Sequence, residues 1–206
     1  MKNTWICADW HLGEDRFELM GRPFNTQLEM VNHLAGEHNK YVAPTDDVIM
    51  VGDVCYQKTP DFLQCVDMFN GRKTLIRGNH DRVFTDAQLQ PYFHTIIKEG
   101  DGIEMDIEGI PCYITHYPSE GKTDRFNLCG HIHAAWKYQL NEFNIGVDVN
   151  HFRPVNINRI PFHYKAICEF YDQDVWVAYS KLNYPYFESR GKKNTYFRPN
   201  EIRSLK

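Results

Sequence analysis

The chain alternates short apolar runs with polar clusters that close them. Thr4-Trp5-Ile6-Cys7-Ala8 reads as a buried strand and ends at Asp9-Trp10-His11. Asp47-Val48-Ile49-Met50-Val51 ends at Gly52-Asp53, and Lys73-Thr74-Leu75-Ile76 ends at Gly78-Asn79-His80-Asp81. Between these runs the apolar spacing becomes helical. Thr26-Gln27-Leu28-Glu29 is a capping-box start, and Leu28, Val31, Leu34, Ala35 and His38 continue it to about Tyr41, before Pro44. Thr59-Pro60 opens a second helix with Phe62, Leu63, Val66 and Phe69 inward and Gly71 at its end. Residues 12–25 are expected to be loop. His33 and His38 are expected at the surface or edge of the first helix.

Strand–helix–strand–helix–strand predicts parallel βαβ units with right-handed crossovers. Functional residues of such sheets gather at the strand C-termini. Asp9, His11, Asp53, Asn79 and His80 all fall there.

The second half has another pattern. Ile103-Glu104-Met105-Asp106-Ile107 alternates, Glu108-Gly109 signals a hairpin turn, and Pro111-Cys112-Tyr113-Ile114-Thr115 returns to His116. Phe126-Asn127-Leu128-Cys129 leads into Gly130-His131-Ile132-His133, and residues 143–149 read as one more strand. The expectation is a mostly antiparallel sheet that delivers His116, His131 and His133. Residues 166–171 and 175–179 read as a hairpin in an aromatic-rich C-terminal stretch, and residues 190–194 as a basic loop.

Composition narrows the class. The 206 residues, 42% hydrophobic and 24% charged, suit one globular domain, with a core in 1–160 and a C-terminal extension in 161–206 that packs on it. No apolar run reaches membrane-spanning length, and the start of the chain lacks the apolar region of a signal peptide. Six scattered cysteines without CxxC spacing are expected to be buried thiols in a reducing cytoplasm. The net charge of −4 divides unevenly: residues 161–206 hold 8 Lys and Arg against 5 Asp and Glu, leaving 15 against 22 in residues 1–160. An acidic body is a poor electrostatic match for nucleic acid and a good one for divalent cations.

Two histidines two apart are weak evidence of a metal site by themselves. Asp9-x-His11, Gly52-Asp53, Gly78-Asn79-His80-Asp81, His116 and Gly130-His131-x-His133 in that order are stronger, and they resemble the calcineurin-like metallophosphoesterase superfamily. Arg22-Pro23-Phe24 and His116-Tyr117-Pro118 resemble its small single-domain bacterial and phage members. The resemblance implies an α/β (α+β) fold: a four-layer αββα sandwich of two stacked mixed β-sheets flanked by helices. It also implies two divalent metal ions, manganese first, with iron, zinc, nickel or cobalt as alternatives. Asp9, His11, Asp53 and His133 would hold one metal. Asp53, Asn79, His116 and His131 would hold the other, with Asp53 bridging. Paired metals lower the pKa of a bridging water and clamp a phosphoryl oxygen.

His80 would orient or protonate the leaving oxygen, helped by Asp81. Asn79, His80, Arg22 and Tyr117 are candidate substrate contacts, with Arg125 and Arg153 as further candidate phosphate clamps. Protein phosphatases of this superfamily continue the Gly-Asp block with Arg, whereas here it runs Val54-Cys55-Tyr56-Gln57. The expectation is therefore a phosphodiesterase acting on a nucleotide or other small phosphodiester. The alternatives are a phosphomonoesterase or nuclease on the same site, or a non-catalytic metal-holding scaffold. No membrane partner is expected, and a homodimer is left open.

Overall fold

The computed structural model describes residues 2–168. The first sheet contains β1 (Thr4–Cys7), β2 (Asp47–Val51), β3 (Arg72–Ile76), β4 (Thr95–Ile97) and β10 (Val155–Asn156), in the order β10-β1-β2-β3-β4. The β1-β2, β2-β3 and β3-β4 pairs are parallel, and only β10 runs antiparallel. The first two crossovers carry the helices that the apolar spacing predicts. After α1 (Phe17–Met20), a short helix inside the expected loop, comes α2 (Gln27–Asn39). Thr26 caps α2 by accepting from the Glu29 backbone N–H at 3.1 Å, while the Glu29 carboxylate accepts from the Asn25 backbone N–H at 2.9 Å. The second crossover, Pro60–Met68, is wound as a 3₁₀ helix and buries Leu63 and Val66.

Alternation along the central strands divides the core. Cys7, Val48, Met50 and Leu75 face α2 and the Pro60–Met68 helix, where Met30, Val31, Leu34 and Val66 meet them. Ile6, Ala8, Ile49, Val51 and Ile76 face the second sheet, where Ile107, Ile114, Phe126, Leu128 and Phe143 meet them. Trp10 turns to the helix side and stacks on Phe69 with ring centroids 4.0 Å apart. His38 is also buried there, its Nε2 3.0 Å from the Asn70 carbonyl, rather than at the helix surface.

The second sheet contains β5 (Ile103–Ile107), β6 (Ile110–Ile114), β7 (Phe126–Cys129), β8 (Tyr138–Gln139) and β9 (Glu142–Asn144), in the order β5-β6-β7-β9-β8. Glu108 and Gly109, at φ +52° and +83°, form the expected tight turn between β5 and β6. The sheet is mixed rather than mostly antiparallel, because β6-β7 and β7-β9 are parallel. These parallel pairs bring the C-terminal ends of β6 and β7 to the same edge. The strand expected over residues 143–149 stops at Asn144, and Val147–Val149 is a 3₁₀ turn. Helix α3 (Ile160–Cys168) occupies the start of the hairpin expected at 166–179. The remainder of that hairpin and the basic loop at 190–194 lie outside the described residues. The two-sheet α/β sandwich is as expected.

Candidate metal centre

The strand ends of both sheets meet at one point. Asp9 and His11 follow β1, Asp53 follows β2, Asn79 and His80 follow β3, His116 follows β6, and His131 and His133 follow β7. One ligand atom each from Asp9, His11 and His133 lie within 4.8 Å of one another, and those of Asp53, His116 and His131 do the same. His11, Asp53 and His80 form a third such group. Asp53 is central: its Oδ2 lies 3.4 Å from both His11 Nε2 and His116 Nε2.

The backbone is bent to achieve this. Asp9, His11, Asp53, His131 and His133 all have positive φ, between +48° and +74°. Such a conformation costs a non-glycine residue on the order of 1–3 kcal/mol, although Asp and His tolerate it better than most residues. Cross-strand hydrogen bonds hold the turns. The Asp9 carboxylate accepts from the His131 backbone N–H at 3.0 Å, and Asp53 Oδ1 accepts from the His80 backbone N–H at 2.8 Å. Gly78 leaves room for the centre: a Cβ there would stand 2.4 Å from Asp53 Oδ1 and 2.7 Å from His116 Nε2.

Two of the imidazoles are oriented by a partner at Nδ1. His116 Nδ1 lies 2.9 Å from the Val51 carbonyl and His133 Nδ1 lies 2.7 Å from Asp148 Oδ2, so both rings turn Nε2 inward. Among the described residues, seven buried side-chain polar atoms have no hydrogen-bond partner. Five belong to this centre: both ring nitrogens of His11, Asn79 Oδ1, His80 Nδ1 and His116 Nε2. Buried polar atoms are normally satisfied, because desolvation without a partner is costly. Unpaired nitrogen and oxygen donors facing inward, with no thiolate among them, fit divalent transition metals.

Proton placement follows the same packing. Burial pushes His11 down to about 4 despite the attraction of Asp53. Burial also works against charge on His116, but Asp53 and Asp9 outweigh it and raise the imidazole to about 9. Burial disfavours charge on Asp53, yet His11 and His116 hold its carboxyl well below the usual range. Burial lifts Asp9 to about 6 against the pull of His116 and His133.

Several expected substrate groups have partners within the chain. The buried Arg22 guanidinium donates to Asp148 Oδ1 at 2.7 Å and Oδ2 at 3.0 Å, and to the carbonyls of Asp9 and Trp10. Arg125 pairs with Asp124 and Arg153 with Glu37. The Tyr117 ring packs against His116 and His131, while its hydroxyl donates to Glu99. Asp81, expected to help His80, holds the backbone of the centre. It is fully buried and accepts from the backbone N–H groups of Asp53, Val54 and Gly78 at 2.9–3.1 Å. Cys55 and Cys129 are buried thiols that form no part of these ligand groups.

Three residues that the sequence reading missed stand next to the centre. Asp148 joins His133 to Arg22, and buried Glu14 lies with Oε2 3.9 Å from His11 Nδ1. Arg16 is paired with Glu14 and borders a cavity of about 390 Å³ beside His11, His80 and His133. Asp148→Asn is expected to weaken divalent-metal binding about 10–100-fold, the usual effect of removing a carboxylate that orients a ligating histidine. It should also lower thermal stability, since the buried Arg22 loses its counter-ion. Manganese titration calorimetry and a melting curve would check both effects.

Known proteins are similar to this chain. An uncharacterized protein of Methanocaldococcus jannaschii is 24% identical over 78% of this chain and 90% of its own length. A crystal structure of a protein of unknown function from Aquifex aeolicus superposes with TM-score 0.61 at 19% identity, covering 79% of this chain and all of the other, and so shares the fold. The family model described as calcineurin-like phosphoesterase matches residues 2–178. With this match extending over the sandwich and every strand end that reaches the centre, the chain belongs to the calcineurin-like phosphoesterase family, whose members are metal-dependent hydrolases.

Proposed function

We propose that the protein is a phosphodiesterase that uses two divalent metals, manganese first. The observation that carries this reading is the ring of unpartnered buried donors around Asp53. Asp9, His11 and His133 would hold one metal and Asn79, His116 and His131 the other, with Asp53 shared. When bound, the pair supplies Lewis acidity that activates water and neutralises phosphoryl charge. The chain itself supplies orientation and a proton. His80 hangs from Asp53 through its backbone N–H, and its ring lies 4.6 Å from that of His11 and 5.6 Å from that of Tyr56. Its imidazole is placed to give a proton to the departing oxygen.

The arginines favour a diester. Arg22 is neutralised by Asp148 and Arg16 by Glu14, so neither offers an unbalanced charge to a dianionic monoester. A diester carries one negative charge, which the metals balance without an arginine clamp. The unpaired cysteines among the described residues suit a cytoplasmic setting. No described helix is long and apolar enough to cross a membrane.

Bis(p-nitrophenyl) phosphate should be hydrolysed in the presence of Mn²⁺ at least about tenfold faster than p-nitrophenyl phosphate, a difference of about 1.4 kcal/mol. Absence of turnover with Mn²⁺, Fe²⁺, Co²⁺, Ni²⁺ and Zn²⁺ alike would refute the reading, and a preference for the monoester would reassign it as a phosphomonoesterase. Metal should also stabilise the fold, by about 2.7 kcal/mol at a hundred times its Kd. A Mn²⁺-dependent rise in Tm, reversed by chelator, is the measurement.

A further inference from the structure

The cavity next to His80 is lined by two kinds of side chain. Arg16 is fixed in place: its Nε donates to Glu14 Oε1 at 2.8 Å and its Nη2 to Glu14 Oε2 at 2.7 Å, while its Cζ lies 4.6 Å from the ring centroid of Tyr56. Glu14 and Tyr56 are buried, whereas the Arg16 side chain is 45% exposed and lines the cavity. Nη1 has no partner among the described residues. Leu19, Met20 and Ile132 supply the apolar part of the lining. Helix α1, which carries Leu19 and Met20, buries none of its residues, and Leu19 is 76% exposed.

We infer that this cavity receives the leaving group of the ester and that it is built for a nucleobase. The inference rests on the phosphoesterase reading above. Direction comes from His80, which lines the cavity and faces the metal ligand His11. A group that departs toward His80 must occupy this space. Chemistry comes from the walls. Arg16 has its charge balanced by Glu14, so it serves an anion poorly. Its planar guanidinium already lies over one aromatic ring, Cζ 4.6 Å from the Tyr56 centroid, and its half-exposed side chain lines the cavity, where it would take a second flat ring. The apolar side chains of the lining would pack on that ring, and Nη1 would donate to a ring nitrogen or carbonyl at its edge. An alkyl leaving group would use the apolar lining alone and leave the guanidinium idle.

The test compares adenosine 5′-monophosphate with ribose 5-phosphate, which share a phosphate and differ by the base. Isothermal titration of the Mn²⁺-loaded protein should show about tenfold tighter binding of the nucleotide, within the range that base stacking contributes. Arg16→Lys keeps a cation beside Glu14 and removes the plane, and it should bring the ratio to within about twofold of unity. Leu19→Asn, at a position that is 76% exposed, should lower the ratio several-fold with the melting temperature unchanged. Equal affinity of the wild-type protein for the two ligands, binding of neither at millimolar concentration, or a ratio that survives in Arg16→Lys would overturn the nucleobase pocket. Hydrolysis of bis(p-nitrophenyl) phosphate by the wild-type protein reads the phosphoesterase function separately, so absence of base preference in the wild type with that hydrolysis intact refutes only the pocket.

Discussion

Asp53→Asn is expected to reduce metal-dependent diester hydrolysis by at least about a thousandfold, or about 4 kcal/mol of transition-state stabilisation. Asp53 is the carboxylate to which most of the centre refers. Its Oδ2 is equidistant, at 3.4 Å, from the inward nitrogens of His11 and His116, and its Oδ1 accepts from the His80 backbone N–H. An asparagine keeps the volume and one acceptor oxygen but loses the charge and the second anionic oxygen. A ligand shared between two cations needs both. Manganese titration should fall from two ions bound to one or none, and the melting temperature without metal should also fall, because buried His116 loses the carboxylate paired with it. Two ions retained with wild-type turnover would show that Asp53 is not the shared ligand.

Much of this centre could be read from the sequence because its chemistry is local to strand ends. Asp9-x-His11 and His131-x-His133 each combine an apolar run with polar residues one step beyond it, and a parallel sheet gathers such ends at one edge. The expectation for β6 and β7 reached the right strands but gave them the wrong direction. Apolar alternation reports which face is buried and carries no information on whether a neighbour runs parallel. The residues that tune the ligands were not legible either. Asp148 sits on a 3₁₀ turn that composition cannot distinguish from a continuing strand, and its partner Arg22 lies 126 positions away. Arg22 lies between a glycine and a proline in a stretch expected to be loop, and only the fold shows that the Asp9 and Trp10 carbonyls and the Asp148 carboxylate surround it. Glu14 and Arg16 are two apart on an irregular loop, where no period predicts that one is buried and the other half-exposed. The helix at Pro60–Met68 had the right apolar positions, but its 3₁₀ winding follows from packing that its composition does not encode.

His80→Ala is expected to lower kcat about 10²–10⁴-fold, the usual contribution of a positioned proton donor, with KM and metal stoichiometry little changed. The separation of these effects follows from the geometry. The contact between His80 and the Asp53 carboxylate runs through the backbone N–H, which alanine retains. The side chain contributes a half-buried ring with an unpartnered Nδ1, next to Tyr56 and open to the cavity. Burial lowers the affinity of this imidazole for a proton, and Asp53 works in the opposite direction. Leaving-group dependence isolates the role of proton donor. A p-nitrophenolate departs without needing a proton, so the alanine variant should lose far less on bis(p-nitrophenyl) phosphate than on a diester with an alkyl or nucleoside leaving group. Equal losses on both substrates would instead make His80 a metal ligand or a support for His11, an alternative that the third ligand group, His11, Asp53 and His80, makes concrete. Manganese stoichiometry in the same variant separates those two, because only a ligand would take an ion with it.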